Sequence, residues 1–317
     1  MPARILDGTA VASQIREELR PRIAAFTARA GRPPGLGIVL AGDNPASEIY
    51  VGTKLKSAGD VGCRTDLIRI PASASLDEAL TAVRRLNDED AYDGILVQSP
   101  LPEGMGADAE QVVFDTIDPA KDVDGFTPVN VGLLVQNRAG LVPCTPRGVM
   151  ELLRRSGIEL KGARAVVLGR SDIVGKPMAM LLLHQHATVT ICHSRTRDLP
   201  AVVREADLVV VAIGRTAFVQ PDWVKPGATV IDVGTNRVTD PSEVDRLFAP
   251  ESPRRAAFAK RGALVVGDVH PGVSEVAGAL TPVPGGVGPL TIALLLNNTL
   301  VAAEARLARR PAAMSRA

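Results

Sequence analysis

The sequence predicts an α/β protein of two domains, the second a Rossmann-like, doubly wound parallel sheet. Three observations predict it. Continuous apolar strand runs alternate with helical patterns in both halves, as in parallel sheets covered on both faces. A proline-bounded break, Pro143-Cys144-Thr145-Pro146, separates the halves. Beyond it, a strand runs through a glycine turn into a helix, which is the corner that opens a nucleotide-binding sheet. At 317 residues the chain is long enough for two cores.

In order, Gly35–Ala41 reads as a buried strand, Ser47–Ala58 as a helix and Asp66–Ile70 as a second strand. Ser75-Leu76-Asp77-Glu78 is a capping box, followed by Leu80, Val83 and Leu86 at helical spacing. Asp93–Gln98 is a third strand, ended by Pro100 and Pro102. Thr145 is expected to cap a helix that has Pro146 at its first position and runs to about Arg155. Parallel strands follow at Ala165–Leu168, Ala187–Cys192, Leu208–Ile213, Thr229–Val233 and Ala263–Val266. A last apolar helix covers Ile292–Leu300, expected to return to the first domain, and Ala308–Ala317 reads as a frayed tail. The expected domains are 1–146 plus 287–310, and 147–286.

Composition excludes several classes. Hydrophobic residues make up 46% and charged residues 22%, a globular balance. Lys and Arg total 36 against 35 acids, and the arginine clusters at Arg254-Arg255 and at Arg306 with Arg309-Arg310 are short, so no nucleic-acid partner is expected. No run of about 18 apolar residues exists, so no membrane span is expected. Three scattered cysteines without CxxC spacing argue for a reducing cytoplasm and against zinc or a disulfide framework.

The corner Gly169-Arg170-Ser171-Asp172-Ile173-Val174-Gly175 has the spacing G-x-S-x-x-x-G. Its free N–H groups and helix dipole favour a phosphate. At the end of the next strand, where a free ribose 2′-hydroxyl usually meets Asp or Glu, stand His193-Ser194-Arg195-Thr196. An acid would repel a 2′-phosphate, whereas Ser194, Arg195 and Arg170 can donate to one, so NADP is expected over NAD. Two later strand ends, Ala212-Ile213-Gly214 and Asp232-Val233-Gly234-Thr235-Asn236, offer further cofactor contacts.

In the first half, Tyr50 and Lys54 stand at i and i+4 on one helix face. Gln98 ends a buried strand, where its amide needs partners. Asp124 lies in the acidic turn Asp118–Phe126. Together they offer an aromatic face, a cation, an amide and a carboxylate, a set suited to a flat heterocycle with a donor–acceptor edge. The stretch Thr281–Thr291 holds three prolines and three glycines, Gly285, Gly286 and Gly288. It supplies a stiff, bare backbone on which a flat ligand can lie.

The chain resembles the bifunctional methylenetetrahydrofolate dehydrogenase/cyclohydrolase family over nearly its whole length. The resemblance rests on residues 42–47, on Tyr50-x-x-x-Lys54, and on segments 94–102, 121–126 and 143–148. The turn at 169–177 and the loop at 282–291 complete it. It implies an N-terminal catalytic domain, an NADP domain, a cleft between them and a homodimer. It also implies oxidation of 5,10-methylenetetrahydrofolate to the 5,10-methenyl compound, then hydrolysis to 10-formyltetrahydrofolate. By the same resemblance Tyr50 packs on the folate rings, Lys54 is the principal catalytic group and Gln98 holds it in place. Asp124 binds the pterin edge, the Pro284–Gly288 loop lies along the folate, and Arg170 and Ser194 contact the 2′-phosphate. Thr235 stands where the family commonly has isoleucine, and Asp240–Arg261 is longer than usual and reads as a short helix and a loop. A dehydrogenase without hydrolase activity, a shikimate-dehydrogenase-like enzyme and a non-catalytic nucleotide-binding module are the alternatives.

Overall fold

A computed structural model describes residues 2–309. Of the expected tail, residues 308 and 309 are helical, and the rest, from Arg310 on, lies outside the described residues. In chain order the elements are β1 (Arg4–Ile5), α1 (Gly8–Ala30), β2 (Gly35–Ala41), α2 (Pro45–Val61), β3 (Arg64–Ile70), α3 (Leu76–Asp88) and β4 (Gly94–Gln98). Next come α4 (Ala109–Thr116), α5 (Pro128–Val135), α6 (Cys144–Arg155), β5 (Arg164–Leu168), α7 (Gly175–His184), β6 (Thr188–Cys192), α8 (Leu199–Arg204), β7 (Leu208–Val211) and β8 (Thr229–Asp232). The last are β9 (Asn236–Val238), α9 (Pro241–Leu247), α10 (Pro253–Arg261), β10 (Leu264–Val266), β11 (Ala279–Leu280) and α11 (Val287–Arg309).

Two compact units form. One gathers Ala12–Cys144 with residues 292–309; the other gathers residues 2–11 with Thr145–Thr291. The chain passes between them inside α1, at the start of α6 and inside α11. Residues 2–11 therefore group with the larger sheet rather than with the first domain, because β1 pairs in parallel with β11.

The first unit holds a parallel sheet of order β3-β2-β4. All seven residues of β2 are buried, as its unbroken apolar run requires. Helix α3 covers the sheet with Ala79, Val83 and Leu86. Its capping box forms as expected: Glu78 N–H donates to Ser75 Oγ and Ser75 N–H to Glu78 Oε2. Val39, Ile95 and Val97 complete this core. Helix α11 belongs here through Asn298, whose Nδ2 donates to the carbonyls of Val123 and Val142. It is long and apolar enough to cross a membrane by length and composition alone, but 72% of its apolar window is buried in protein.

The second unit holds six strands in the order β1-β11-β8-β7-β5-β6, every neighbouring pair parallel. Val166, Leu168, Val209, Val211 and Val230 fill its core. The strand expected at Ala263–Val266 forms, but outside this sheet: β10 pairs antiparallel with β9. Its burial alternates, with Leu264 and Val266 inside and Val265 out, the period of a half-covered hairpin. The long segment 240–261 carries two helices, α9 and α10, instead of one helix and a loop. Val244, Leu247, Phe248 and Phe258 pack there with Val238 and Val266 in a small core of their own. Thr145 does not cap α6, which begins at Cys144; its hydroxyl hydrogen-bonds Thr291 instead.

Candidate active site

In the first unit, helix α2 holds Tyr50 and Lys54 one turn apart, with Tyr50 45% and Ile49 71% exposed. Lys54 Nζ donates to Gln98 Oε1 at 2.9 Å, and Gln98 Nε2 donates to the Ser99 carbonyl at 2.6 Å. The amide thus has its oxygen fixed towards the amine. Burial pushes the Lys54 pKa below the ordinary lysine value, and the nearby Asp124 and Cys144 oppose it. Burial pushes the Asp124 carboxyl up to about 6; Lys54 pulls it down and Asp122 pushes it up. Amine and carboxyl are close enough to feel each other's charge, and each is less charged at neutral pH than it would be in water.

The turn that presents Asp124 is held by residues whose roles are not evident from local sequence. Asp122 accepts from Gly125 N–H, Thr127 N–H and Asn130 Nδ2. Lys121, 2% exposed, donates to the carbonyls of Leu86, Asn87 and Glu89 at the end of α3. Cys144 Sγ donates to the Val123 carbonyl, which also receives Asn298.

In the second unit the glycine-rich loop before α11 is fixed by its own backbone. A Cβ on Gly286 would stand 2.5 Å from the Pro282 carbonyl oxygen, and Thr9 N–H donates to the Gly285 carbonyl. Gly288 differs: it is exposed, and a Cβ there would meet open space. The protein's own packing around 288 leaves room for a side chain.

The nucleotide corner forms between β5 and α7. It is so tight that a Cβ on Gly175 would stand 2.3 Å from the Gly169 carbonyl oxygen. Gly169, Arg170, Ser194 and His193 line one cavity of about 300 Å³ with Arg215 and Phe218. Ser171 spends its hydroxyl on the helix start, accepting from Val174 and Gly175 N–H groups. Arg195 is exposed and does not line the cavity, and Thr235 is exposed on the turn that leaves β8. A bare phosphate corner with a guanidinium and a hydroxyl beside the next strand fits a dinucleotide bearing an extra phosphate.

Two buried carboxylates support this end of the sheet: Asp232, which the sequence offered within a strand end for cofactor contacts, and Asp268, which no local signal singled out. Asp268, 0% exposed, accepts from the N–H groups of Ile213, Gly214 and Arg215 and from Asn236 Nδ2. Asp232 accepts from Gly234, Asp268 and Val269 N–H groups. Burial pushes Asp232 up to about 7 against those hydrogen bonds. Among the described residues no cluster of His, Cys, Asp or Glu is arranged to hold a metal ion.

Comparisons with known proteins identify the family. A tetrahydrofolate dehydrogenase/cyclohydrolase catalytic-domain model matches residues 6–124, and the NAD(P)-binding domain model of the same name matches residues 143–307. The bifunctional protein FolD of Solibacter usitatus is 57% identical over 304 residues, covering 96% of this chain and 98% of that one. That of Koribacter versatilis is 54% identical over 306 residues, with 96% and 98% covered. Among solved structures, Trypanosoma brucei methylenetetrahydrofolate dehydrogenase-cyclohydrolase, complexed with NADP and an inhibitor, aligns with a TM-score of 0.86 at 42% identity, covering 97% of this chain and 99% of that one. The Campylobacter jejuni bifunctional enzyme aligns at 0.85 and 40% identity, covering 96% and 99%.

Proposed function

Because the chain belongs to the tetrahydrofolate dehydrogenase/cyclohydrolase family, we propose that it oxidises 5,10-methylenetetrahydrofolate to 5,10-methenyltetrahydrofolate with NADP+ and then hydrolyses that product to 10-formyltetrahydrofolate. The observation that carries the reading is the Lys54–Gln98 hydrogen bond beside Asp124. Bound NADP+ supplies the hydride acceptor. The chain's residues supply the rest.

Oxidation leaves a cationic, amidinium-like carbon, and a fully charged ammonium beside it would raise the barrier. Burial lowers the Lys54 pKa, which favours the neutral amine relative to a lysine in water. That amine can take a proton from the water that attacks the methenyl carbon and return it as the ring opens. Gln98 Oε1 accepts from the amine and fixes its direction. Asp124 accepts from the pterin edge, Tyr50 supports the ring face, and the bare backbone at Pro284, Gly285, Gly286 and Gly288 lies along the folate. Gly169, Arg170, Ser171, Ser194, Arg195 and Thr235 are the expected cofactor residues; Arg170 and Ser194 have the cavity geometry that favours NADP. The chain acts as a cytoplasmic homodimer. A sedimentation mass near one 33.3 kDa chain overturns the dimer, and recovery with membranes overturns the location.

The test is Lys54→Ala. Hydrolysis of the methenyl compound, followed by its absorbance, should fall by about 10²–10⁴-fold, the usual loss of a general base. NADP-linked oxidation should survive in part. Hydrolysis at the wild-type rate overturns the assignment.

A further inference from the structure

The cavity at the nucleotide corner contains a cation that the sequence did not point to. The turn leaving β7 is pinned from beneath: the Asp268 carboxylate accepts from three successive N–H groups, Ile213 at 2.7 Å, Gly214 at 2.9 Å and Arg215 at 2.8 Å. The position of the Arg215 backbone is therefore set by a fully buried side chain. Its side chain lies over the Phe218 ring, with Cζ 4.2 Å from the centroid, and Phe218 in turn meets Trp223 edge-on. Stacking of this kind orients a planar guanidinium and leaves its N–H fork free to point along the plane. Arg215 lines the same cavity as Arg170 and Ser194. Arg195, the nearer arginine in sequence to the β6 end, does not.

We propose that Arg215 is a specificity-determining residue of the nucleotide site: held on Phe218, it supplies with Arg170 the positive charge that meets the 2′-phosphate of the adenosine half. The proposal rests on the NADP reading above. It places the second guanidinium on the turn after β7 rather than on the strand end after β6. A guanidinium that only covered the adenine would bind nucleotides with and without the extra phosphate equally, which separates the two roles.

The experiment titrates the full-length chain with adenosine 2′,5′-bisphosphate and with 5′-AMP by calorimetry, and measures kcat/KM for NADP+ and NAD+. Unfolding temperature without nucleotide controls for folding. Arg215→Gln should weaken the bisphosphate by about 10- to 100-fold, the scale of a lost charged hydrogen bond, and leave 5′-AMP within threefold. The NADP+/NAD+ ratio of kcat/KM should fall by the same factor. Arg215→Lys, which keeps charge but not the planar stack, should recover part of the loss, and Arg195→Gln should lower the ratio less than Arg215→Gln does. Equal weakening of bisphosphate and 5′-AMP overturns the proposal, as does a larger effect at Arg195. If the wild-type chain shows no preference for NADP+, the cofactor reading itself fails.

Discussion

At the scale of single residues, the site is built from groups held away from their usual protonation. Asp124, pushed up to about 6 by burial, is a carboxylate only above that pH. If it accepts from the pterin edge, folate KM should rise as pH falls from 7 to 5. Asp124→Asn should raise KM by about 10- to 100-fold at pH 8, the cost of a charged hydrogen bond, and flatten that limb. A wild-type KM constant from pH 5 to 8 overturns the role. Lys54 has the opposite sense: neutral amine accumulates as pH climbs through its lowered pKa, so hydrolysis should rise on the alkaline side. The sequence marked Tyr50, Lys54, Gln98 and Asp124 because spacing and strand ends are local signals. It carried Lys121 and Asp122 only as part of the 121–126 segment, and it did not mark Asn298 or Asp268. Asp268 meets N–H groups more than fifty residues away in the chain, and no local pattern encodes such a meeting.

At the scale of elements, agreement follows the clarity of the local pattern: the 23-residue α1, with Pro21 inside it, went unread. The seven-residue run of β2 and the capping box of α3 were legible to the residue, because periodicity and capping act within one turn or strand. β1 and β11 have two residues each, too few for any period, and were not read. The helices α9 and α10 pack on Val238 and Val266 and reach Ala217, next to the Phe218 loop, so the long segment supports the nucleotide end of its unit. At the start of α11, Gly288 makes a sharp test. Alanine there meets open space, in the first turn of the helix. Gly288→Ala should therefore melt no lower than wild type yet raise folate KM several-fold. An unchanged KM removes that backbone from the folate site.

At the scale of the whole molecule, the first unit closes only with the end of the chain. Leu294, Leu295, Leu296 and Leu300 of α11 are buried. At about 1.5–3 kcal/mol each, these four leucines approach the roughly 5–15 kcal/mol by which a domain is stable. Arg306 adds hydrogen bonds to the Tyr92 carbonyl and the buried Asp93. A chain ending at Thr291 should lose amide protection across β2, β3 and β4 in hydrogen exchange; protection equal to wild type would show that residues 12–144 need no partner helix.

The pairing of Arg4 with Ala279 sets a schedule for synthesis. Once synthesised, β1 waits for a neighbour 275 positions later. At about 5–20 residues per second, that wait lasts on the order of tens of seconds. For that interval the margin of the larger sheet that β1 and β11 build together stays unpaired.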